Sequence, residues 1–300
     1  MSAKEAVSKF VADNDMVFLG GFGHLYPYAL AHEVIRQGKT DLTLCKHSPE
    51  IVGEQLIGAG LIKKLIFSWF GNPAVGSANC FRRAVEKGIP RPLEIEEYTH
   101  FSLVLSINAG AMGLPFLPTK AILGSDLEEK NKNVKSLTCP FTGEKLCLVP
   151  ALKPDIALIH VQRADSEGNC HAWGITADIT DGAFASKKVI VSAEEIVPTE
   201  VIRRDPNRTL IPSFKVDAVV EEPWGAHPSY AQGYYDRDND YYIQYDKWSK
   251  TQEDFQAFMD EWIYGVKDRR EYLHKMGVEI LLKLRAKSFM SFPVDYGYYV

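Results

Sequence analysis

Short apolar runs alternate with stretches of helical spacing through the first half of this 300-residue chain. Met16 to Leu19 is apolar, Pro27 to Arg36 places its apolar residues at helical spacing, and Leu42 to Cys45 is apolar again. This order is typical of βαβ units, in which helices join parallel strands and cover the sheet. The sequence therefore predicts the α/β class, with an open, mostly parallel sheet covered by helices.

The alternation continues beyond residue 50. The predicted elements are helices at Ile51 to Ala59, Ala78 to Glu86 and around Phe101 to Met112, and strands at Lys64 to Phe67, Leu146 to Val149, Ile156 to His160, Val189 to Ser192 and Val216 to Val220. The polar stretch from Asp126 to Lys135 predicts a surface loop. Since no change of composition is long enough to mark a boundary, we expect a single domain over residues 1–300.

The composition changes at about residue 225, where an aromatic and helical C-terminal segment begins. Tyr230 to Tyr245 mixes aromatic and polar residues without either regular period, whereas Arg269 to Leu284 predicts one last helix. Helical spacing also follows the capping sequence that starts at Ser249. The aromatic residues from Tyr234 to Trp248 are too many to remain exposed, so they should pack against a partner protein chain or seal the C-terminal helices.

Charge and cysteine content argue against several classes of protein. The net charge is −5 and the basic residues form no block, which disfavours nucleic acid or membrane surfaces as partners. No apolar run approaches the roughly 18 residues of a membrane span, and the first residues do not resemble a signal peptide. Five cysteines without a CxxC pair predict free thiols. We therefore expect a cytoplasmic protein without a metal site or a permanently bound cofactor.

A glycine cluster directly follows the first predicted strand. Gly20, Gly21, Phe22 and Gly23 precede the helix that starts near Pro27, and glycines there allow backbone amides to approach a ligand. A tight turn without a ligand explains the cluster equally well, because the GxGxxG dinucleotide pattern is absent. Both interpretations stay open at this point.

A second glycine-bearing loop follows the strand that ends at Phe67. It runs from Gly71 through Asn72 to Ser77, at what would be the same carboxyl edge of a parallel sheet, where open α/β folds bind ligands. The apolar loop from Gly113 to Pro118 could wall a pocket with Phe116, although packing explains it as well. His100 stands at the start of a predicted helix, where a neutral imidazole is favoured.

Several short motifs resemble the A subunits of family I CoA-transferases, in particular the glutaconate CoA-transferase branch. They are Gly20-Gly-Phe-Gly, Pro27-Tyr-Ala-Leu, Ile35-Arg-Gln-Gly-Lys-Thr-Asp-Leu, Gly113-Leu-Pro-Phe-Leu-Pro, Val216-Asp-Ala-Val-Val, Gly225-Ala-His-Pro and Tyr245-Asp-Lys-Trp-Ser-Lys-Thr-Gln-Glu-Asp-Phe. Their order and spacing extend over nearly the whole chain, so the chain is identified as a member of this family.

The resemblance implies an A2B2 heterotetramer whose B (beta) subunit carries the glutamate that becomes a CoA thioester. Its substrates would be an acyl-CoA thioester and a carboxylic acid, exchanged by a ping-pong mechanism. The A (alpha) subunit would hold the acyl group and donate hydrogen bonds to developing oxyanions. The candidate substrate-binding residues are Gly20, Gly21, Phe22, Gly23, His24, Tyr26, Phe70, Gly71, Asn72, Ser77, His100 and Phe116.

One departure from the family pattern concerns the residues before Pro27. Glutaconate transferases tend to carry basic residues there, whereas this chain has His24, Leu25 and Tyr26, which favours a less charged acyl group. The same family includes ring-opening hydrolases and a decarboxylase, in which His100 or Glu97 would be the candidate base. A non-catalytic metabolite-binding α/β protein is a third interpretation.

Overall fold

The computed structural model describes residues 1–72 and 76–287. Its strands are β1 Met16–Leu19, β2 Leu42–Cys45, β3 Ile62–Phe67, β4 Glu94–Glu97, β5 Phe116–Thr119, β6 Lys135–Thr138, β7 Lys145–Pro150, β8 Ile156–Ala164, β9 Cys170–His171, β10 Lys188–Ile196, β11 Thr209–Ile211 and β12 Ala218–Glu221. Its helices are α1 Ala3–Phe10, α2 Tyr28–Arg36, α3 Glu50–Gly58, α4 Asn79–Lys87, α5 His100–Ala111, α6 Asp126–Lys130, α7 Ile179–Ala185, α8 Thr199–Arg204, α9 Asn239–Trp248, α10 Gln252–Met259, α11 Arg269–Met276 and α12 Val278–Leu284.

The main sheet is parallel across the order β12-β10-β8-β1-β2-β3-β4. Strands β9 and β11 extend it in antiparallel pairing beyond the end of β8. In the central register, Val17 pairs with Leu44, and Leu19 pairs with Leu158. The prediction of an open, mostly parallel sheet covered by helices is confirmed. Because parallel strands run the same way, the loops after β1, β2, β3 and β4 meet at one edge.

Each face of this sheet is covered by its own hydrophobic core, and the alternation along β1 separates the two. Val17 and Leu19 belong to the core that includes α2 and α3, whereas Phe18 belongs to the core that includes α5 and α7. Strands buried on both faces need near-continuous apolar runs. This requirement explains why short apolar runs in the sequence predicted the positions of these strands.

A small antiparallel sheet, in the order β5-β7-β6, lies apart from the main one. The segment that contains this sheet differs from two sequence predictions. The stretch from Gly113 to Pro118 contains the start of β5 and is not only a loop, because Phe116 pairs with Pro150 in the ladder. The predicted loop from Asp126 to Lys135 contains α6, whose Lys130 forms an ion pair with Asp126 one turn earlier.

The C-terminal segment differs from its prediction in two places. Residues 239–248 form α9, which Asp238 caps by accepting a hydrogen bond from the Tyr241 amide, so part of the aperiodic stretch is helical. The predicted last helix is two helices, because Gly277, with φ of +86°, breaks it after Met276. The aromatic rings of α9 pack within the chain, where Trp248 stacks on Phe258 with the ring centroids 5.2 Å apart.

Two further sequence expectations concern cysteines and membranes. All five cysteines are free thiols, four of them buried and Cys139 partly exposed, as predicted. Within residues 1–72 and 76–287, no helix is long and apolar enough to cross a membrane.

The carboxyl group of Glu54 is buried, and its ionisation should make the stability of the fold depend on pH. Glu54 accepts hydrogen bonds from the Cys80 and Phe81 amides at the start of α4, at 3.2 and 2.8 Å. Burial raises its pKa to about 7, above its value in an unfolded chain. The stability that this group contributes is therefore full below pH 4.5 and is lost as the pH rises through 7.

Replacement of Glu54 by glutamine should therefore be least harmful at alkaline pH. Relative to the wild type, Glu54→Gln should gain up to about 3 kcal/mol of unfolding free energy between pH 5 and pH 8, because the amide cannot ionise. Urea unfolding of both proteins at the two pH values measures this difference. Glu279→Gln on the exposed side of α12 is the control and should show no such change. An equal effect of Glu54→Gln at both pH values would contradict the prediction.

Candidate active site

The candidate site lies where the first strands of the parallel sheet end. The glycine turn, which we define as Gly20 to Gly23, follows β1; Lys46, His47 and Ser48 follow β2; and His100 follows β4 by three residues. The loop that includes Gly71 and Asn72 follows β3. The sequence therefore placed the glycine turn and this loop at the correct edge of the sheet.

The glycine turn is tight and requires glycine at a specific position. The Phe22 amide donates a hydrogen bond to the His24 carbonyl at 2.9 Å, and Gly21 has φ of +85°. A Cβ atom on Gly21 would lie 2.4 Å from the carbonyl oxygen of His24, so no other residue fits there. The Gly20 amide still pairs with Leu158 of β8, which places the turn directly on the end of the sheet.

The two residues that directly follow β2, Lys46 and His47, contact the glycine turn. The Lys46 ammonium donates a hydrogen bond to the Gly21 carbonyl, and the His47 ring stacks on Phe22 with the centroids 5.1 Å apart. Asp178, the residue before α7, lies 3.6 Å from both Lys46 Nζ and His47 Nδ1. Burial, with the nearby charge of Lys46 as a second cause, lowers the pKa of His47 to about 2, so its ring is neutral.

His100 is the first residue of α5 and is exposed at this edge. The side chain of Thr99 caps the helix by accepting a hydrogen bond from the Ser102 amide. His100 Nε2 lies 3.0 Å from the Ser48 hydroxyl, and its ring centroid is 5.8 Å from that of His47 and 6.5 Å from that of Phe22. Phe22, His47 and His100 therefore form a ring cluster beside the glycine turn.

The loop after β3 is held by packing and by α9. Phe70 stacks on Phe81 with the centroids 4.4 Å apart, and the Asn72 side chain donates to the Ser77 carbonyl at 3.2 Å. The Ser77 amide donates to the Asp246 side chain of α9 at 3.1 Å. The loop is therefore anchored at both described ends, while Pro73 to Val75 lie outside the described residues.

Four predicted site residues occupy positions away from the ring cluster. His24 is buried, accepts a hydrogen bond at Nε2 from the Gln232 amide and faces the Ile175 carbonyl with Nδ1, and burial lowers its pKa to about 4. Tyr26 is buried and donates to the Ser48 carbonyl at 2.6 Å, so it supports the site from beneath. Phe116 lies half-exposed on β5, and Glu97 lines a different depression with Lys64 and Asn133.

Leu25 is fully buried, as Tyr26 is. The sequence argument used this pair, in place of basic residues, to favour a less charged acyl group. In the structure neither side chain is exposed at the carboxyl edge of the sheet. The presence of Leu25 and Tyr26 in place of basic residues therefore does not set the charge of the substrate by direct contact. The inference of a less charged acyl group from these two residues is corrected.

The sequence analysis missed Lys46, His47, Ser48 and Asp178. The first three directly follow the apolar run of β2, so the rule that identified the glycine turn could also have identified them. Asp178 comes from a distant part of the chain, and no local pattern distinguishes it. Within the part of the chain that the structure describes, no group of three histidine, cysteine or acidic residues could hold a metal ion.

Comparisons with known proteins extend over the whole described fold. Residues 1–222 match the family "Coenzyme A transferase". The A subunit of the 3-oxoadipate CoA-transferase of Pseudomonas knackmussii is 48% identical over 276 residues, which cover 92% of this chain and 97% of that protein. The A subunit of the glutaconate CoA-transferase of Acidaminococcus fermentans is 39% identical, and the match covers 98% of this chain and 97% of that protein.

A solved structure and a more distant relative complete the comparison. The crystal structure of glutaconate coenzyme A-transferase from Acidaminococcus fermentans superimposes with a TM-score of 0.90 over 96% of both chains, at 39% identity. The cholesterol ring-cleaving hydrolase IpdA subunit of Rhodococcus jostii is 31% identical over 83% of this chain and 87% of that protein. Both similarities extend well beyond the glycine turn.

Proposed function

The chain belongs to the coenzyme A transferase family, and from this membership we propose that it is the A subunit of a two-subunit enzyme that transfers CoA from an acyl-CoA thioester to a carboxylic acid. The observation that carries the proposal is the 48% identity to the A subunit of a 3-oxoadipate CoA-transferase over 97% of that protein. A CoA thioester is then a substrate, and a B subunit is the required partner. We further propose an A2B2 assembly without a permanently bound cofactor.

The proposed substrate class is a short dicarboxylic acid and its CoA thioester. The two relatives compared most fully are named for 3-oxoadipate and glutaconate, both dicarboxylic acids. The imidazoles of His47 and His100 lie beside the glycine turn and can donate or accept hydrogen bonds with a polar acyl group. The five free thiols suit a reducing compartment, so we place the enzyme in the cytoplasm.

The proposed mechanism assigns the nucleophile to the B subunit. Its glutamate carboxylate attacks the thioester carbonyl, and the CoA thiolate leaves to give a mixed acyl anhydride. The thiolate then attacks the glutamyl carbonyl, releasing the first acid and forming a glutamyl-CoA thioester. The incoming carboxylate repeats both steps in reverse order and leaves with CoA. The glycine turn and Phe22 of this chain position the acyl group during these steps.

Trapping of the covalent intermediate tests the proposal. The chain is co-expressed with its B partner and incubated with succinyl-CoA, and the B partner is then treated with hydroxylamine or borohydride and analysed by mass spectrometry. We expect a modified glutamate on the B partner, transfer of CoA to 3-oxoadipate or glutaconate, and no transfer when the B partner is omitted. Release of free CoA without any covalent species on the B partner would contradict CoA transfer.

A ring-opening or carbon–carbon cleaving hydrolase is the second candidate. The similarity to the IpdA subunit supports it, as does the exposed position of His100 beside the Ser48 hydroxyl. In that reaction His100 would act as the base. His100→Ala separates the candidates, because the hydrolase should lose about a hundredfold or more in kcat. The transferase, whose nucleophile is on the B partner, should lose much less.

A further inference from the structure

Two consecutive residues after β2 hold two consecutive residues of the glycine turn, and one carboxylate lies against both. Lys46 binds the Gly21 carbonyl, and His47 stacks on the Phe22 ring. Asp178 places one carboxylate oxygen 3.6 Å from Lys46 Nζ and the other 3.6 Å from His47 Nδ1. The carboxylate therefore lies within ion-pair distance of both residues that hold the turn.

The position of Lys46 fixes the peptide plane between Gly21 and Phe22. The carbonyl oxygen of this plane accepts the hydrogen bond from Lys46, while its amide donates to the His24 carbonyl on the other side. A peptide held at both ends cannot rotate without breaking one of the two hydrogen bonds. The backbone of Phe22 is consequently held in place, and stacking on His47 orients its ring.

Lys46 and Asp178 lie in an environment that is unusual for an ion pair that only stabilises the fold. Lys46 is fully buried and Asp178 is 3% exposed. Both Asp178 oxygens and His47 Nδ1 are buried without a hydrogen-bond partner among the described residues. A buried ion pair with unsatisfied oxygens costs desolvation that its attraction barely repays, so apolar residues would stabilise the core better. The pair instead places a cation beneath the turn.

We propose that Lys46 and Asp178 are positioning residues for the glycine turn, a proposal that rests on the proposed function. Lys46 fixes the Gly21 carbonyl, and Asp178 supplies its counter-charge and orients the His47 ring under Phe22. Together they hold the turn in the orientation that aligns the acyl group with the carboxylate of the B subunit. A misalignment of about 1 Å can cost on the order of a hundredfold in rate, so the effect should be on kcat.

Steady-state kinetics of the A–B complex test this proposal with four variants. We expect Lys46→Met to lower kcat about a hundredfold and Asp178→Asn about tenfold, with KM for the acyl-CoA changed less than threefold. The double variant should resemble Lys46→Met alone, because Asp178 acts mainly through Lys46. Asp181→Asn on α7 is the matched control and should resemble the wild type.

Amide hydrogen exchange gives a second readout that does not depend on the reaction. The Phe22 amide, whose hydrogen bond to His24 closes the turn, should exchange at least tenfold faster in Lys46→Met and Asp178→Asn than in Asp181→Asn. This comparison holds even if the wild-type complex proves to be a hydrolase. Failure of CoA transfer by the wild type would therefore overturn the proposed function, and unchanged exchange at Phe22 would overturn this inference.

The kinetic result can also overturn the inference. A folded Asp178→Asn complex with wild-type kcat would do so, as would a double variant whose loss equals the product of the two single losses. If Lys46→Met does not assemble with the B partner, Asp178→Asn decides the question, because it preserves the shape of the side chain. The melting temperature and co-purification with the B partner establish that each variant is folded.

Discussion

Replacement of Gly21 by alanine is expected to lower kcat/KM of the A–B complex by at least about a hundredfold. The new Cβ would lie 2.4 Å from the His24 carbonyl oxygen and 2.7 Å from the carbonyl carbon of Leu25. Both obstacles are backbone atoms of the two residues that directly follow the glycine turn, so the turn must open and the Phe22 hydrogen bond to His24 must break. Initial rates with succinyl-CoA and 3-oxoadipate measure the loss.

Gly23→Ala is the matched control in the same turn. Gly23 also has a positive φ, +63°, but a Cβ there would meet no atom within 4 Å. It should therefore lose only the roughly 1 kcal/mol of backbone strain and retain activity within a fewfold of the wild type. Equal losses in the two variants would show that backbone strain, and not the shape of the turn, controls activity. Wild-type activity of Gly21→Ala would remove the turn from the site.

The parallel sheet was predictable because its strands are buried on both faces. Runs such as Leu42 to Cys45 and Ile156 to His160 are then mostly apolar, with Thr43 and His160 as the exceptions, and such runs are visible without any tertiary information. The position of the glycine turn followed from the same logic, since the ends of parallel strands share one edge. The family resemblance of the sequence added the reaction class.

The features that escaped prediction depend on contacts between distant residues or on local breaks. Asp178 reaches Lys46 only after α7 packs against the sheet, and no spacing along the chain encodes that contact. Helix α9 is rich in tyrosine, which obscures the helical spacing of its apolar residues. Its rings pack against α10, where Tyr245 contacts Phe258. Gly277 adopts a left-handed φ that the sequence permits but does not require.

The burial of His24 and Tyr26 shows that residues beside a family motif need not be contact residues. Both lie between two motifs that resemble the family, where this chain departs from the family pattern, and their polar atoms bind backbone groups of this chain. Tyr26 holds the Ser48 carbonyl, and the Ser48 hydroxyl lies beside His100. Residues between two motifs therefore belong to the scaffold that supports the site.

Gly110→Ala is expected to lower the unfolding free energy by at least about 3 kcal/mol or to prevent folding. In an isolated helix the same change would stabilise by about 1 kcal/mol, since alanine is the better helix former. Here the Cβ would lie 1.9 Å from the Leu152 carbonyl oxygen. Leu152 cannot easily move, because its amide donates a hydrogen bond to the Ser106 carbonyl of the same helix at 2.9 Å.

Urea unfolding of the purified chain measures the effect, with Asn108→Ala on a partly exposed position of α5 as the control. The control should change the unfolding free energy by less than about 0.5 kcal/mol. A Gly110→Ala chain as stable as the wild type would mean that α5 does not approach the Leu152 segment this closely. Because α5 begins at His100, the measurement tests the packing of the helix that carries this candidate site residue.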